Sequence, residues 1–257
     1  MKKKQPIDSY NKFFEKYNID LDDFLKWGAT EAIFCEKKEE VKLAWRSLVF
    51  KLFGETQYKK FFQENCLEEI KIYIDKDVQR ATDKEQAKKT VYIRSSGRQG
   101  GSTEEIIKNY QQMNLFAAEL IKDPTNNQRP TRLLKNLTGY HKDGERNIHN
   151  YIIAHIWGET QNPLLFECPW NICYLPKIVD PFSGHESTEE NTVNGDELKE
   201  KRTQKFQQIL REKADELFGE FIIEYNTIRD YVEIKIESMQ EGKYKDLIKR
   251  SWRRIDV

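Results

Sequence analysis

Residues 150–186 read NYIIAHIWGETQNPLLFECPWNICYLPKIVDPFSGHE. Asn150 to Gly158 has the β-branched and aromatic content of a strand, and Trp170 to Leu175 has it again. Between them, Gly158-Glu159-Thr160-Gln161-Asn162-Pro163 is rich in turn formers and must be loop. The stretch therefore predicts two strands joined by a long loop. His155 falls late on the first strand, beside a loop roomy enough for a substrate, and an imidazole that titrates near neutrality suits a general base. Asn171 lies on the second strand and Asp180 just beyond it. An amide oxygen and a carboxylate that converge suit a hard divalent cation such as Mg²⁺.

Outward from this finger the chain is mostly helical in pattern. Val41, Ala44, Trp45, Leu48, Val49, Leu52 and Phe53 recur at three- and four-residue steps, which predicts a helix from about Glu36 to Phe53 with Gly54 as a stop. Leu67 to Ile74 fits either a strand or a helix. Thr90 to Ile93 reads as a short strand, residues 95–102 as a loop, and Ser102 or Thr103 with Glu104 and Glu105 opens a helix. Leu115, Phe116, Leu120 and Ile121 are expected on that helix, which should end near Lys122. Residues 123–130 and 139–144 read as connectors. Residues 186–205 read as a solvated run leading into a helix that carries Phe206, Ile209, Leu210, Leu217, Phe218 and Phe221. A basic, aromatic segment, Lys243 to Arg254, closes the chain.

Composition narrows the class. The 257 residues carry 43 Lys+Arg against 43 Asp+Glu, so whole-chain charge points to no partner. Charged residues at 33% and aromatic residues at 12% exclude both a membrane protein and a disordered chain, leaving a soluble globular fold expected in the cytoplasm. The start is basic, but Pro6, Asp8 and Asn11 stand where a signal peptide needs apolar residues. Cys35, Cys66, Cys168 and Cys173 lack zinc-knuckle spacing and read as reduced thiols.

His155 and Asn171 are sixteen residues apart, and Asn171 and Asp180 nine. That order resembles the ββα-metal, or His-Me finger, nucleases of the HNH family. In that family a His-Ile pair ends the first strand, an Asn ties the hairpin, and a third residue about nine positions on reaches a metal from a helix. His155-Ile156 and Trp170-Asn171-Ile172 match the first two elements in kind and distance. Asp180 matches the third in position. Its Pro181 fits an Asp at a helix N-cap.

The resemblance implies an α+β protein: mostly helical, with an embedded ββα-metal hairpin and a few additional short strands. It implies phosphodiester hydrolysis, with His155 deprotonating water, Asn171 holding the hairpin, and Asp180, assisted or replaced by His185 and Glu186, binding Mg²⁺ or Mn²⁺. No structural zinc is expected. The finger covers residues 146–187. Residues 1–145 then form a mainly helical recognition and scaffold region, and residues 188–257 a helical region for DNA-backbone contact or dimerisation.

Nucleic-acid contacts must be local when net charge is zero. Arg94, Arg98, Arg129, Arg132 and Lys135 lie in or beside polar loops, and Asn162 and Lys177 flank the strands. Lys243, Lys245, Lys249, Arg250, Arg253 and Arg254 offer a second basic group, and His141 and His149 belong mainly to surface or connector. The plan resembles that of a sequence-specific type II restriction endonuclease, which implies action on double-stranded DNA as a homodimer, with no membrane. Two alternatives stand beside it: a non-specific HNH nuclease effector of a phage-defence or toxin system, and a non-catalytic helical nucleic-acid-binding module. Glu69-Ile70-Lys71 and Glu233-Ile234-Lys235 offer a competing restriction-type signature, Glu-x-Lys on a strand.

Overall fold

The stripe from Val41 to Phe53 is buried along one long helix, and its length is set at a single residue. In the computed structural model, which describes residues 9–62, 66–79, 81–94, 103–141, 146–183, 197–239 and 241–256, this is α3 (Lys38–Phe61). Gly54 breaks it with φ 75° and ψ 168°, a backbone open to glycine and strained for other residues. The helical path then resumes. Two short helices precede it, α1 (Ser9–Tyr17) and α2 (Leu21–Thr30), and α4 (Leu67–Asp77) and α5 (Lys84–Lys88) follow. In α4 the helical period prevails, because Ile70 and Ile74 share a buried face while Ile72 is 53% exposed.

β1 (Thr90–Ile93) is a strand as expected, and it pairs in parallel with β2 (Glu119–Lys122) across α6 (Thr103–Gln112). The expectation that Leu115 to Ile121 belong to α6 is corrected here. Asn114 takes a left-handed φ of 48°, the Ala117 amide donates to Leu52 O at 2.7 Å, and Leu120 is buried as the partner of Val91. Pairing with β1 satisfies backbone groups that a continued helix would have satisfied internally. The Asp123 carboxylate, fully buried, accepts from the amides of Thr125, Gln128 and Arg129 and so starts α7 (Gln128–Thr138). β3 (Tyr140–His141) and β4 (Arg146–Asn147) form a second small sheet.

The finger forms as the sequence foretells. β5 (Tyr151–His155) and β6 (Ile172–Pro176) are antiparallel, from Tyr151 opposite Pro176 to His155 opposite Ile172. Alternation splits the hairpin. Ala154, Cys173 and Leu175 join the main core, while Tyr151, Ile153, Ile172 and Tyr174 pack with Leu134 of α7 and with Ile148. Ile33 exchanges backbone hydrogen bonds with Tyr174 at 2.9 and 3.0 Å and closes the free edge of β6. The loop between the strands holds α8 (Pro163–Phe166).

β6 leads into a 3₁₀ turn (Lys177–Phe182). Asp180 lies inside this turn, and Pro176 precedes it, so the expected N-cap role of Asp180 is not adopted. α2 approaches so closely that a Cβ on Gly28 would stand 2.5 Å from Val179 Cγ1. The spine is α9 (Glu197–Glu237), 41 residues and roughly 60 Å long, with α10 (Lys243–Ser251) folded back after it. Phe206, Leu210, Ala214, Phe218, Ile222 and Tyr225 line its buried side, against which α2, α3 and α10 pack. One hydrophobic cluster runs from Phe14 to Ile255, so the three expected stretches share a core. Glu69-Ile70-Lys71 lies on α4 and Glu233-Ile234-Lys235 on α9, which removes the strand that the competing signature requires. Among the described residues no helix is long and apolar enough to cross a membrane.

Candidate active site

His155 is the last residue of β5, half-buried, with its ring stacked on Phe166 at 5.5 Å and 12°. Its Nε2 stands 3.1 Å from Phe166 O. A carbonyl oxygen only accepts, so in the neutral ring Nε2 carries the proton and the basic lone pair belongs to Nδ1. The ring is thereby oriented by its own loop.

Asn171 sets that loop. It is fully buried; its Oδ1 accepts from the Trp157 amide at 2.9 Å, and its Nδ2 donates to Leu165 O at 2.8 Å and Gly158 O at 3.4 Å. The Ile156 amide donates to Asn171 O at 2.8 Å. One amide thus clips the residues after His155 to those before β6, and its polar atoms are spent on backbone. Trp170 beside it is buried edge-on to Trp45, Trp157 and Tyr225 at 5.4, 5.7 and 5.9 Å, contacts that each add about 0.5–1.5 kcal/mol beyond area burial.

The loop is also held from outside. Asn162, fully buried, caps α8 by accepting from the Leu164 amide at 2.8 Å, and donates to Ser251 O at 3.0 Å and Tyr225 Oη at 3.1 Å. The expected nucleic-acid contact of Asn162 is corrected by this burial: the side chain is a cap and a tether. Tyr110 Oη donates to Gln161 O at 3.2 Å and receives the Trp252 indole N–H at 2.9 Å. Glu159 has a left-handed φ of 49°, a strain of about 1–2 kcal/mol for a non-glycine residue. Burial pushes its carboxyl above the ordinary value, although Arg253, Arg250 and Arg211 each act to lower it. Arg253 Nε lies 3.0 Å from Glu159, its Nη2 donates to Trp157 O at 3.1 Å, and Arg211 Nε donates to Ile156 O at 3.4 Å.

The remaining expected residues divide. The turn bearing Asp180 leaves the hairpin where Tyr151 meets Pro176, about 13 Å of strand from His155. Ser183 Oγ donates to Asp180 O at 2.6 Å and lies 3.2 Å from its Oδ1. His185, Glu186 and Arg98 lie outside the described residues. Among the described residues no three His, Cys, Asp or Glu side chains assemble as a metal site.

Arg129 Nη2 pairs with Asp77 at 2.9 Å and Glu167 at 3.0 Å, and its guanidinium lies over the Tyr92 ring at 5.2 Å. Burial works to raise Asp77, but the Arg129 charge and hydrogen bond, with Arg132 and Lys51, leave it below its ordinary value. Arg132 donates to Asp77 O. The expected phosphate contacts of Arg129 and Arg132 are thus replaced by internal pairing. Lys135 and Lys177 are exposed. The Arg94 amide donates to Thr160 O at 3.1 Å, while its Nε is buried without a hydrogen-bond partner and its pKa is lowered by burial. Glu159 and Arg211 were not singled out from sequence; the only local signal was Gly158-Glu159 inside the decisive loop.

Fold and site together define an α+β protein in which a half-exposed histidine ends a buttressed β-finger. The chain belongs to the protein family described as "Uncharacterised protein PM1201", whose model matches residues 75–255. A protein of Pasteurella multocida (strain Pm70), described as "Uncharacterized protein PM1201", is 35% identical over 243 residues, covering 95% of this chain and 88% of that protein. No solved structure matches the chain.

Proposed function

We propose that this protein is a metal-dependent endonuclease that hydrolyses phosphodiester bonds in double-stranded DNA, on the plan of a sequence-specific type II restriction enzyme of the HNH class. The observation that carries the reading is the placement of His155 and Asn171 at the same end of the finger. The histidine ends the first strand of an antiparallel finger, half-exposed and with Nε2 directed to a carbonyl, and the asparagine fastens the loop that follows it. In this reading Nδ1 of His155 takes the proton of the attacking water. Asn171 acts through His155 by keeping the loop, and hence Phe166 O, in place. The divalent cation enters through the family resemblance, with Asp180 as the described candidate ligand.

Incubation with plasmid or phage DNA and Mg²⁺ or Mn²⁺ should give discrete fragments, and His155→Ala should lower the cleavage rate by about 10²–10⁴-fold while leaving DNA retardation intact. A His155→Ala protein that cuts at the wild-type rate overturns the assignment. Cleavage to a smear replaces the restriction enzyme with a non-specific nuclease, and retardation without cutting by the wild type leaves a binding module.

A further inference from the structure

β1 runs into an arginine whose charge is not answered among the described residues. The Arg94 amide donates to Thr160 O at 3.1 Å, and its carbonyl accepts from Thr103 Oγ at 3.5 Å. Its backbone is thereby fixed between the loop that follows His155 and the first turn of α6. The side chain is half-buried, and its Nε is buried without a hydrogen-bond partner. Burial lowers the guanidinium, and no neighbouring charge acts with or against it.

The carboxylates closest along the chain and the sheet are engaged elsewhere. Asp123, which continues β2 where Arg94 continues β1, accepts from the amides of Thr125, Gln128 and Arg129. Glu159, beside Thr160, pairs with Arg253 at 3.0 Å, and Glu104 pairs with Lys122 at 2.8 Å. Residues 95–102 contain no Asp or Glu. The contrast with other arginines is plain: Arg46 has Glu224 at 2.6 Å, and Arg129 has Asp77 at 2.9 Å.

A guanidinium keeps its proton at any ordinary pH, so half-burying one without a partner costs solvation that nothing in the described fold returns. An anion docking there restores it, and a phosphate fits the planar fork with two parallel hydrogen bonds. The place suits such a ligand. β1, α6 and β2 form a parallel β-α-β unit, and ligands of open parallel sheets lie outside the carboxyl ends of the strands, where Arg94 stands. Thr160, its backbone partner, lies five residues after His155 on the same loop.

We infer that the Arg94 guanidinium is a seat for a phosphate group, filled by a backbone phosphate of the DNA that runs along the loop after His155. The seat stands on the geometry around β1, and its DNA source rests on the endonuclease reading. Of the arginines that the sequence sets beside polar loops, folding takes Arg129 and Arg132 for Asp77 and leaves Arg94 for the substrate.

The test uses the full chain without divalent cation and two probes. A fluorescent DNA duplex of mixed sequence is titrated at several salt concentrations, and inorganic phosphate is followed through the melting temperature. Arg94→Gln should weaken duplex binding about tenfold and flatten the slope of log affinity against log salt by about one contact. Arg94→Lys keeps the charge and loses the fork, so it should keep the slope and lose part of the affinity. Should Arg94→Gln not fold, Arg94→Lys carries the test, and wild-type affinity in it overturns the inference. A phosphate-induced rise in melting temperature that Arg94→Gln abolishes, with duplex affinity unchanged, keeps the seat and makes free phosphate its ligand. Unchanged duplex affinity, salt slope and phosphate response in folded Arg94→Gln overturn the inference. Arg94-dependent duplex binding by a protein that cuts under no divalent cation sinks the endonuclease reading and keeps the seat. Cleavage with Arg94-independent binding of both probes does the reverse.

Discussion

Two groups of arginines flank the loop after His155, and folding has spent them differently. On one side Arg129 is gripped by two carboxylates, Asp77 and Glu167, with Tyr92 against its face and Arg132 and Lys51 at the edge. On the other side Arg253 pairs with Glu159 at 3.0 Å and donates to Trp157 O, and Arg211 donates to Ile156 O. The first group is a girder: it ties α4, α7 and the end of α8 together, and its charge is answered inside the protein. The second ties the loop after His155 to α9 and to the segment after α10. An arginine in a polar stretch of sequence is therefore no guide to nucleic-acid contact until its carboxylates have been counted in space.

Arg129→Met should show the largest effect on stability in this comparison. It leaves Glu167, 6% exposed at its side chain, and Asp77 without their main cation, a loss of about 3–5 kcal/mol. The melting temperature should fall by roughly 10 °C in calorimetry, with DNA affinity below the transition unchanged. A variant that melts normally but binds DNA poorly would dissolve the contrast between the two groups. Asn171→Ala comes next. It leaves the buried Trp157 amide unpaired and should lower stability by about 1–3 kcal/mol in urea titration, with faster hydrogen exchange at that amide.

The smallest effect sharpens the contrast through pH. Burial raises the Glu159 carboxyl above its ordinary value of 4.5, so the folded protein holds this proton more tightly than the unfolded chain does. The resulting stabilisation is fully present below about pH 4.5 and is lost as the pH rises through the native value. Glu159→Gln has no such proton. Its melting temperature relative to wild type should rise with pH across that window, and a flat difference would place Glu159 in bulk solvent.

The elements with short-range signals were readable in advance. Strand alternation around His155 and Asn171, the run Thr90 to Ile93, and the stripe from Val41 to Phe53 all became the elements their spacing implies. Leu115 to Ile121 misled because their apolar spacing suits a helix, whereas the turn at Asn114 and a parallel partner 29 residues earlier, Val91 for Leu120, made strand the better state. Asn162 misled for a related reason. As a loop residue before proline it resembles a surface amide, and only the return of Ser251 and Tyr225 to the same point buries it.

Local order of apolar, turn-forming and capping residues thus determined the finger, its histidine and its asparagine, since such preferences act over a few residues of chain. Tertiary structure alone decided which charges are answered. Glu159 meets Arg253, and Arg129 meets Asp77, only after the core has closed. Coulomb energy depends on separation in space and on burial, neither of which a balanced composition of acids and bases records.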